Sequence, residues 1–184
     1  MEKRNNKIQD YIYKSAKMIM DYCTLNNINR IIIGNSKDFQ NKGFVRSKDY
    51  YNKDNYLKHI EKETIKKNNQ NFLMIPFGKI IHRIEYLCSL NGMECIIQEE
   101  SYTSSSSFFD LDPLPIYKEE DKTEYSFSGK RIKRGLYQTK ENKYINADIN
   151  GALNIYRKSS VCDMKVIEYL LRRGVNTPKR LQVI

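Results

Sequence analysis

Residues Lys143 to Lys158 read KYINADINGALNIYRK, and the fold is decided there. An irregular segment turns into a short helix, and one carboxylate, Asp148, sits at the turn. Asn146 before it and Asn150 after it can both satisfy open backbone groups at such a turn. Beyond Asp148, residues Ile149, Ala152, Leu153, Ile155 and Tyr156 recur at helical spacing. Gly151 and Ala152 are small enough to let this helix pack closely on a sheet. Two readings of Asp148 stand side by side: a first-turn carboxylate favoured by the helix dipole, or one held at the edge of a packed body to bind a metal ion.

The sheet under that helix is found upstream. Lys3 to Asn26 is predicted as an amphipathic helix, with Ile8, Tyr11, Ile12, Ile19, Tyr22 and Cys23 on its apolar stripe. RIIIG, Arg30 to Gly34, is short, β-branched and wholly apolar, which predicts a buried central strand. Leu73 to Asn91 is a second predicted helix, with Ile75, Ile80, Ile81, Ile84, Leu87 and Leu90 as its stripe, Pro76 in its first turn and Gly92 as its stop. His82 within it reads as a surface or core-edge histidine. MECIIQEE, Met93 to Glu100, follows as a strand. Strand, crossover, helix and strand are the parts of a right-handed crossover in a parallel sheet, so the class is α/β. Glu99 and Glu100 then lie at the carboxyl end of a strand, where open α/β sheets place their chemistry. Strand alternation sends their side chains to opposite faces, so one of them at most faces a site.

The remaining segments are less regular. Asn35 to Gln70 is rich in Lys, Asp, Asn and Tyr and reads as a surface insertion, either a solvated excursion or a contact to nucleic acid. SYTSSSS, Ser101 to Ser107, reads as a flexible turn or capping segment, FFDLDPLP as loop, and Lys118 to Lys122 as a solvated charge run. Tyr125 to Asn146 is predicted as a hairpin with turns at Ser128-Gly129 and Arg134-Gly135. It carries a dense cluster, Lys130, Arg131, Lys133 and Arg134, interleaved with Tyr125, Phe127 and Tyr137, which is the best candidate for phosphate contacts. Val161 to Arg173 closes the fold as a helix with Val166, Ile167, Leu170 and Leu171 inward, and Gly174 to Ile184 is a frayed tail.

Composition bounds the partners. A formal net charge of +10, from 32 Lys+Arg against 22 Asp+Glu, suggests an acidic polymer, nucleic acid before an anionic membrane surface. Heavy Asn, Lys, Ile and Tyr usage also fits an AT-rich coding genome, which raises Lys without any function. Cys23, Cys88, Cys95 and Cys162 form no CxxC pair, so free thiols are expected rather than disulfides or a zinc site. No apolar run has membrane-spanning length, and an intracellular, soluble, cytoplasmic protein is expected.

Several stretches together resemble the C-terminal part of the TnpB (OrfB) insertion-sequence proteins, transposon-encoded RNA-guided nucleases related to type V CRISPR effectors. They are KRNNKIQDYIYKSAKMIMDYC at Lys3 to Cys23, RIIIG at Arg30 to Gly34 and NNQNFLMIPFGKIIHRIEY at Asn68 to Tyr86. EESYTS at Glu99 to Ser104, SGKRIKRGLY at Ser128 to Tyr137 and INADINGALNIYRK at Ile145 to Lys158 continue the series in family order. The resemblance implies a partial ribonuclease-H-like (RuvC-like) mixed sheet with flanking helices over residues 1–34 and 68–158. Residues 35–67 then form a surface insertion, 101–144 a loop and basic hairpin in place of a zinc ribbon, and 159–184 a C-terminal helix and tail.

The implied chemistry is phosphodiester cleavage by divalent metals held on clustered carboxylates. By position, Asp148 matches the last catalytic aspartate. The usual glutamate position falls at Gly34-Asn35, and Glu100 or Glu99 stands as its relocated counterpart, with Glu100 preferred. Asp148 and Glu100 are thus the expected Mg²⁺ ligands, and no zinc is expected. Lys130, Arg131, Lys133, Arg134 and Tyr102 are the expected nucleic-acid contacts. The family's first catalytic aspartate and its zinc cysteines have no counterpart here, with Ser104 to Ser107 where the first cysteine pair begins. A nuclease fragment inactive alone is therefore expected. Its partners would be DNA, a guide RNA as in the parent family, and a polypeptide supplying the missing N-terminal part. The alternative is a non-catalytic DNA- or RNA-binding protein that regulates a mobile element.

Overall fold

The computed structural model describes residues 2–35, 76–117, 123–175 and 177–179. The surface insertion beyond Asn35, Leu73 to Ile75, the Lys118 to Lys122 charge run and most of the predicted tail's last residues lie outside them. Helix α1 spans Glu2–Leu25 and is followed by strand β1, Arg30–Asn35. Helix α2, Phe77–Leu90, leads into strand β2, Glu94–Glu99. A small antiparallel unit follows, β3 at Lys130–Lys133, β4 at Leu136–Gln138 and β5 at Tyr144–Asn146. The chain closes with α3, Ala147–Lys158, and α4, Met164–Arg173. The described fold is thus mixed α/β, with one parallel and one antiparallel sheet.

The apolar spacing of α1 seats Ala16 and Met20 in the same cluster as Ile84 and Cys88 of α2. Ile31, Ile33 and Cys95 pack on that cluster, so the helix pair covers one face of the β1–β2 sheet. Tyr11 and Leu90, predicted on the apolar stripes, are exposed instead, because each stripe is narrower than the periodicity suggested. Pro76 caps α2 rather than sitting in its first turn. Gly92 ends the helix at φ +64°, a left-handed conformation a side chain would resist.

β1 and β2 pair in parallel from Arg30 opposite Glu94 to Asn35 opposite Glu99, as the crossover pattern predicted. Among the described residues the sheet has only these two strands, and β1 is half-buried rather than a fully buried central strand. The predicted hairpin is a three-stranded unit in the order β3-β4-β5. Gly135 makes its first turn at φ +76°. Gly129 has no room for a Cβ, which would lie 2.5 Å from the Gln138 carbonyl oxygen and 2.6 Å from the Tyr137 ring.

Two further expectations change. Val166 is exposed, and Ile167 is the buried anchor of α4. Gly151 and Ala152 are not the contact between α3 and the sheet: a Cβ on Gly151 would meet nothing within 4 Å, and Ala152 is exposed. The inward face of α3 instead carries Ala147, Asn150 and Asn154. All four cysteines are free, as expected, with Cys23 and Cys88 buried.

Candidate functional site

Asn146 caps α3, its Oδ1 accepting from the backbone N–H groups of Asp148 and Ile149 at 2.9 and 3.0 Å. Asn146, Asn150, Asn154 and Lys158 recur at every fourth position and line one face of the helix. The three that follow the cap all point at the segment from Ser101 to Pro115. Asn150 Oδ1 accepts from Phe108 N at 2.9 Å, and its Nδ2 donates to the Ser106 carbonyl at 2.8 Å. Asn154 Nδ2 donates to the carbonyls of Thr103 and Ser106. Arg157 adds a bond to the Asp112 carbonyl.

The serine run is therefore a built loop rather than a flexible turn. Thr103, Ser106, Ser107, Phe108 and Asp112 are buried in it. Asp112 accepts from Ser107 N and Ser128 N at 2.9 Å and from Ser128 Oγ at 2.5 Å, which ties the loop to the base of the antiparallel unit. Tyr137, fully buried, donates from its hydroxyl to the Ser105 carbonyl at 2.8 Å. Burial, with Asp112 and Asp110 nearby, pushes that phenol up to about 12, so it stays a neutral donor. Small side chains let the backbone fold this tightly, and Asn150, Asp112 and Tyr137 find partners across the fold, while Asn154 Oδ1 and Arg157 Nη1 are buried without one.

The two glutamates at the end of β2 have different surroundings. Glu99 Oε2 lies 2.5 Å from Lys158 Nζ, and its Oε1 accepts from Ser101 N at 2.6 Å. Burial raises the Glu99 pKa, but the hydrogen bonds from Lys158 and Ser101 outweigh it and the net direction is down. Glu100 is raised, by burial first and by the neighbouring Glu99 charge second. Its carboxylate stands over Gly34: a Cβ built there would run into Glu100 Oε2 and would come within 2.6 Å of Ile155 Cδ1.

Asp148 lies in the first turn of α3 with its side chain 82% exposed, and Arg131 Nη2 of β3 is 3.8 Å from its Oδ1. Ile155, beside Glu100, is seven residues further along the helix, roughly 10 Å at the α-helical rise. Asp148 and Glu100 thus flank the same helix but do not sit side by side. Among the described residues, no group of three or more His, Cys, Asp or Glu side chains could hold a metal ion. Lys130, Arg131, Lys133 and Arg134 are all exposed on β3 and its turn. Tyr102 adopts φ +63° and packs on Tyr125 with ring centroids 5.1 Å apart and on Phe127 at 6.1 Å.

Sequence reasoning missed the work of Asn154, Arg157, Lys158 and Asp112. The four-residue repeat of Asn146, Asn150, Asn154 and Lys158 was the available signal, since apolar periodicity draws attention to the wrong face of α3. No helix among the described residues is long and apolar enough to cross a membrane.

A comparison with curated proteins gives no match. Residues 77–155, from the start of α2 through Ile155 of α3, match the family described as Cas12f1-like, TNB domain. The matched segment contains β2, the built loop, the antiparallel unit and Asp148. That match covers less than half of the chain and supports a TnpB-like protein over residues 77–155.

Proposed function

We propose that this chain is part of a TnpB-type, transposon-associated nuclease of RuvC-like, ribonuclease-H-like fold, acting on DNA with a guide RNA, in which Asp148 and Glu100 are the metal-binding carboxylates. The observation that carries the reading is the position of Glu100. Its carboxylate fills the volume that a side chain at position 34 would occupy. That is the position at which the family resemblance leads one to expect a glutamate, so the ligand is relocated from one strand end to its neighbour.

The donors suit Mg²⁺, which takes oxygen ligands and is commonly held by one or two carboxylates while keeping several waters. When bound, the metal supplies activation of water and charge stabilisation at phosphorus. Asp148 is exposed and helix-capped, so its oxygens face outward from a rigid element. Glu100 is half-buried just beyond the end of β2. Two carboxylates carry less charge than a two-metal cluster takes, so the isolated chain should bind the ions weakly and cleave poorly. Mn²⁺ titrations followed by electron paramagnetic resonance test this. Binding should be detectable for the wild-type chain and weakened by Asp148→Ala and by Glu100→Gln, with no DNA cleavage above background in Mg²⁺. Mn²⁺ affinity unmoved by either substitution would sink the ligand assignment. Cleavage abolished by Asp148→Ala would overturn the inactivity.

A second reading, nucleic-acid binding without catalysis in the regulation of a mobile element, is favoured by the exposed cations of β3 and of Arg134 in the turn after it. An edge strand with three cations, a fourth in the turn after it and a bulge between Arg131 and Lys133 is poorly suited to pair with another strand but well suited to phosphates. Neutralising Lys130, Arg131, Lys133 and Arg134 to Gln should weaken binding to DNA or RNA uniformly across sequences. It should also flatten the salt dependence by about three to four phosphate contacts. A salt slope identical to that of the wild type would remove this surface from the interface.

A further inference from the structure

Lys158 is the last residue of α3, and its side chain is only 7% exposed. An ammonium group has three donors, and all three here are used. They meet Glu99 Oε2 at 2.5 Å, the Ser101 carbonyl at 3.0 Å and the Pro115 carbonyl at 2.9 Å. Glu99 in turn accepts from Ser101 N at 2.6 Å. These bonds fasten the residues on either side of Glu100 and leave the Glu100 carboxylate without a hydrogen bond of its own among the described residues. Its direction is therefore inherited from its neighbours.

We propose that Lys158 is a positioning residue: by holding Glu99 and Ser101 it fixes the end of β2 so that the intervening side chain, Glu100, is carried over Gly34. Glu99 then has a role distinct from its neighbour's, as the acceptor of the buried cation rather than a metal ligand. The same bonds fasten both ends of the built loop, at Ser101 and Pro115, to the helix whose first turn carries Asp148. Through α3, one buried ammonium therefore links the two strand-end glutamates, the loop and the element that carries the second candidate ligand. The proposal deepens the metal reading above and rests on it for its functional consequence, but not for its structural content.

The test uses the full chain with Lys158→Met, Lys158→Arg and Glu99→Gln. Crystal structures read the direction of Glu100, Mn²⁺ titration reads affinity, and circular dichroism checks the fold. Lys158→Met should move Glu100 off Gly34 and weaken Mn²⁺ binding by about tenfold or more, the scale for losing a residue that orients a ligand. Lys158→Arg should recover part of the affinity, which a loss of bulk packing alone would not produce. Should Lys158→Met fail to fold, Glu99→Gln, which keeps a neutral acceptor, supplies the answer in the same two readouts. Glu100 still over Gly34 with unchanged affinity in the folded variants would overturn the positioning role. If the wild type binds no Mn²⁺, the metal reading fails instead, and the crystallographic direction of Glu100 alone decides for or against the clamp.

Discussion

Asn150→Leu is expected to destabilise the chain by about 1–3 kcal/mol, the cost of leaving the buried Phe108 N–H without a partner. Asn150 is fully buried and bonds in both directions, accepting from Phe108 N and donating to the Ser106 carbonyl. Leucine matches its size but offers neither atom, so Phe108 N–H loses its acceptor outright. Asn154 still reaches the Ser106 carbonyl, which softens that half of the loss. The effect should appear in urea as a lower unfolding midpoint with little change in slope, because the surface exposed on unfolding is the same. A midpoint within error of the wild type would mean that the loop does not depend on α3. Because the loop is also what carries the chain from Glu100 toward the basic strand, its release should be felt at both candidate surfaces.

Tyr137→Ala should cost about 3–5 kcal/mol, the range for emptying a buried aromatic site. Tyr137 is the centre of the second core cluster, with Ile145 and Ala147 buried against it and Phe109 beside it. Its ring also lies against Gly129, where no side chain fits, so neighbouring backbone cannot easily collapse into the space. Tyr137→Phe keeps the ring and removes the 2.8 Å bond to the Ser105 carbonyl, for a loss of about 1 kcal/mol. Thermal unfolding of the pair separates packing from hydrogen bonding. Equal losses for both substitutions would place the whole effect in the hydroxyl and contradict the packing argument.

The parallel pair β1–β2, the two helices that cover one face of it and the capped start of α3 were legible in the sequence. Each follows from local rules: β-branched runs make strands, three-to-four spacing makes amphipathic helices, and Asn146 supplies the oxygen that a helix start lacks. The exposed basic strand was legible too, since four cations within five positions have nowhere to go but the surface. The resemblance to TnpB-like proteins rested on the same stretches, and the match over residues 77–155 agrees with it.

What sequence reading could not supply is which side chain meets which across the chain. SYTSSSSFFDLDP carries no periodicity and reads as flexible, yet its buried atoms are bonded to α3 more than forty positions away. Gly151 and Ala152 looked like a packing face, while the real one is a row of amides and an ammonium. Such bonds depend on distances between elements, which no local pattern contains. Glu99 and Glu100 make the same point at the candidate site. Adjacent and chemically identical, they could not be told apart by type. Only the tertiary structure, by placing Lys158 beside Glu99 and burying Glu100 over Gly34 next to the Glu99 charge, gave them opposite shifts and different surroundings.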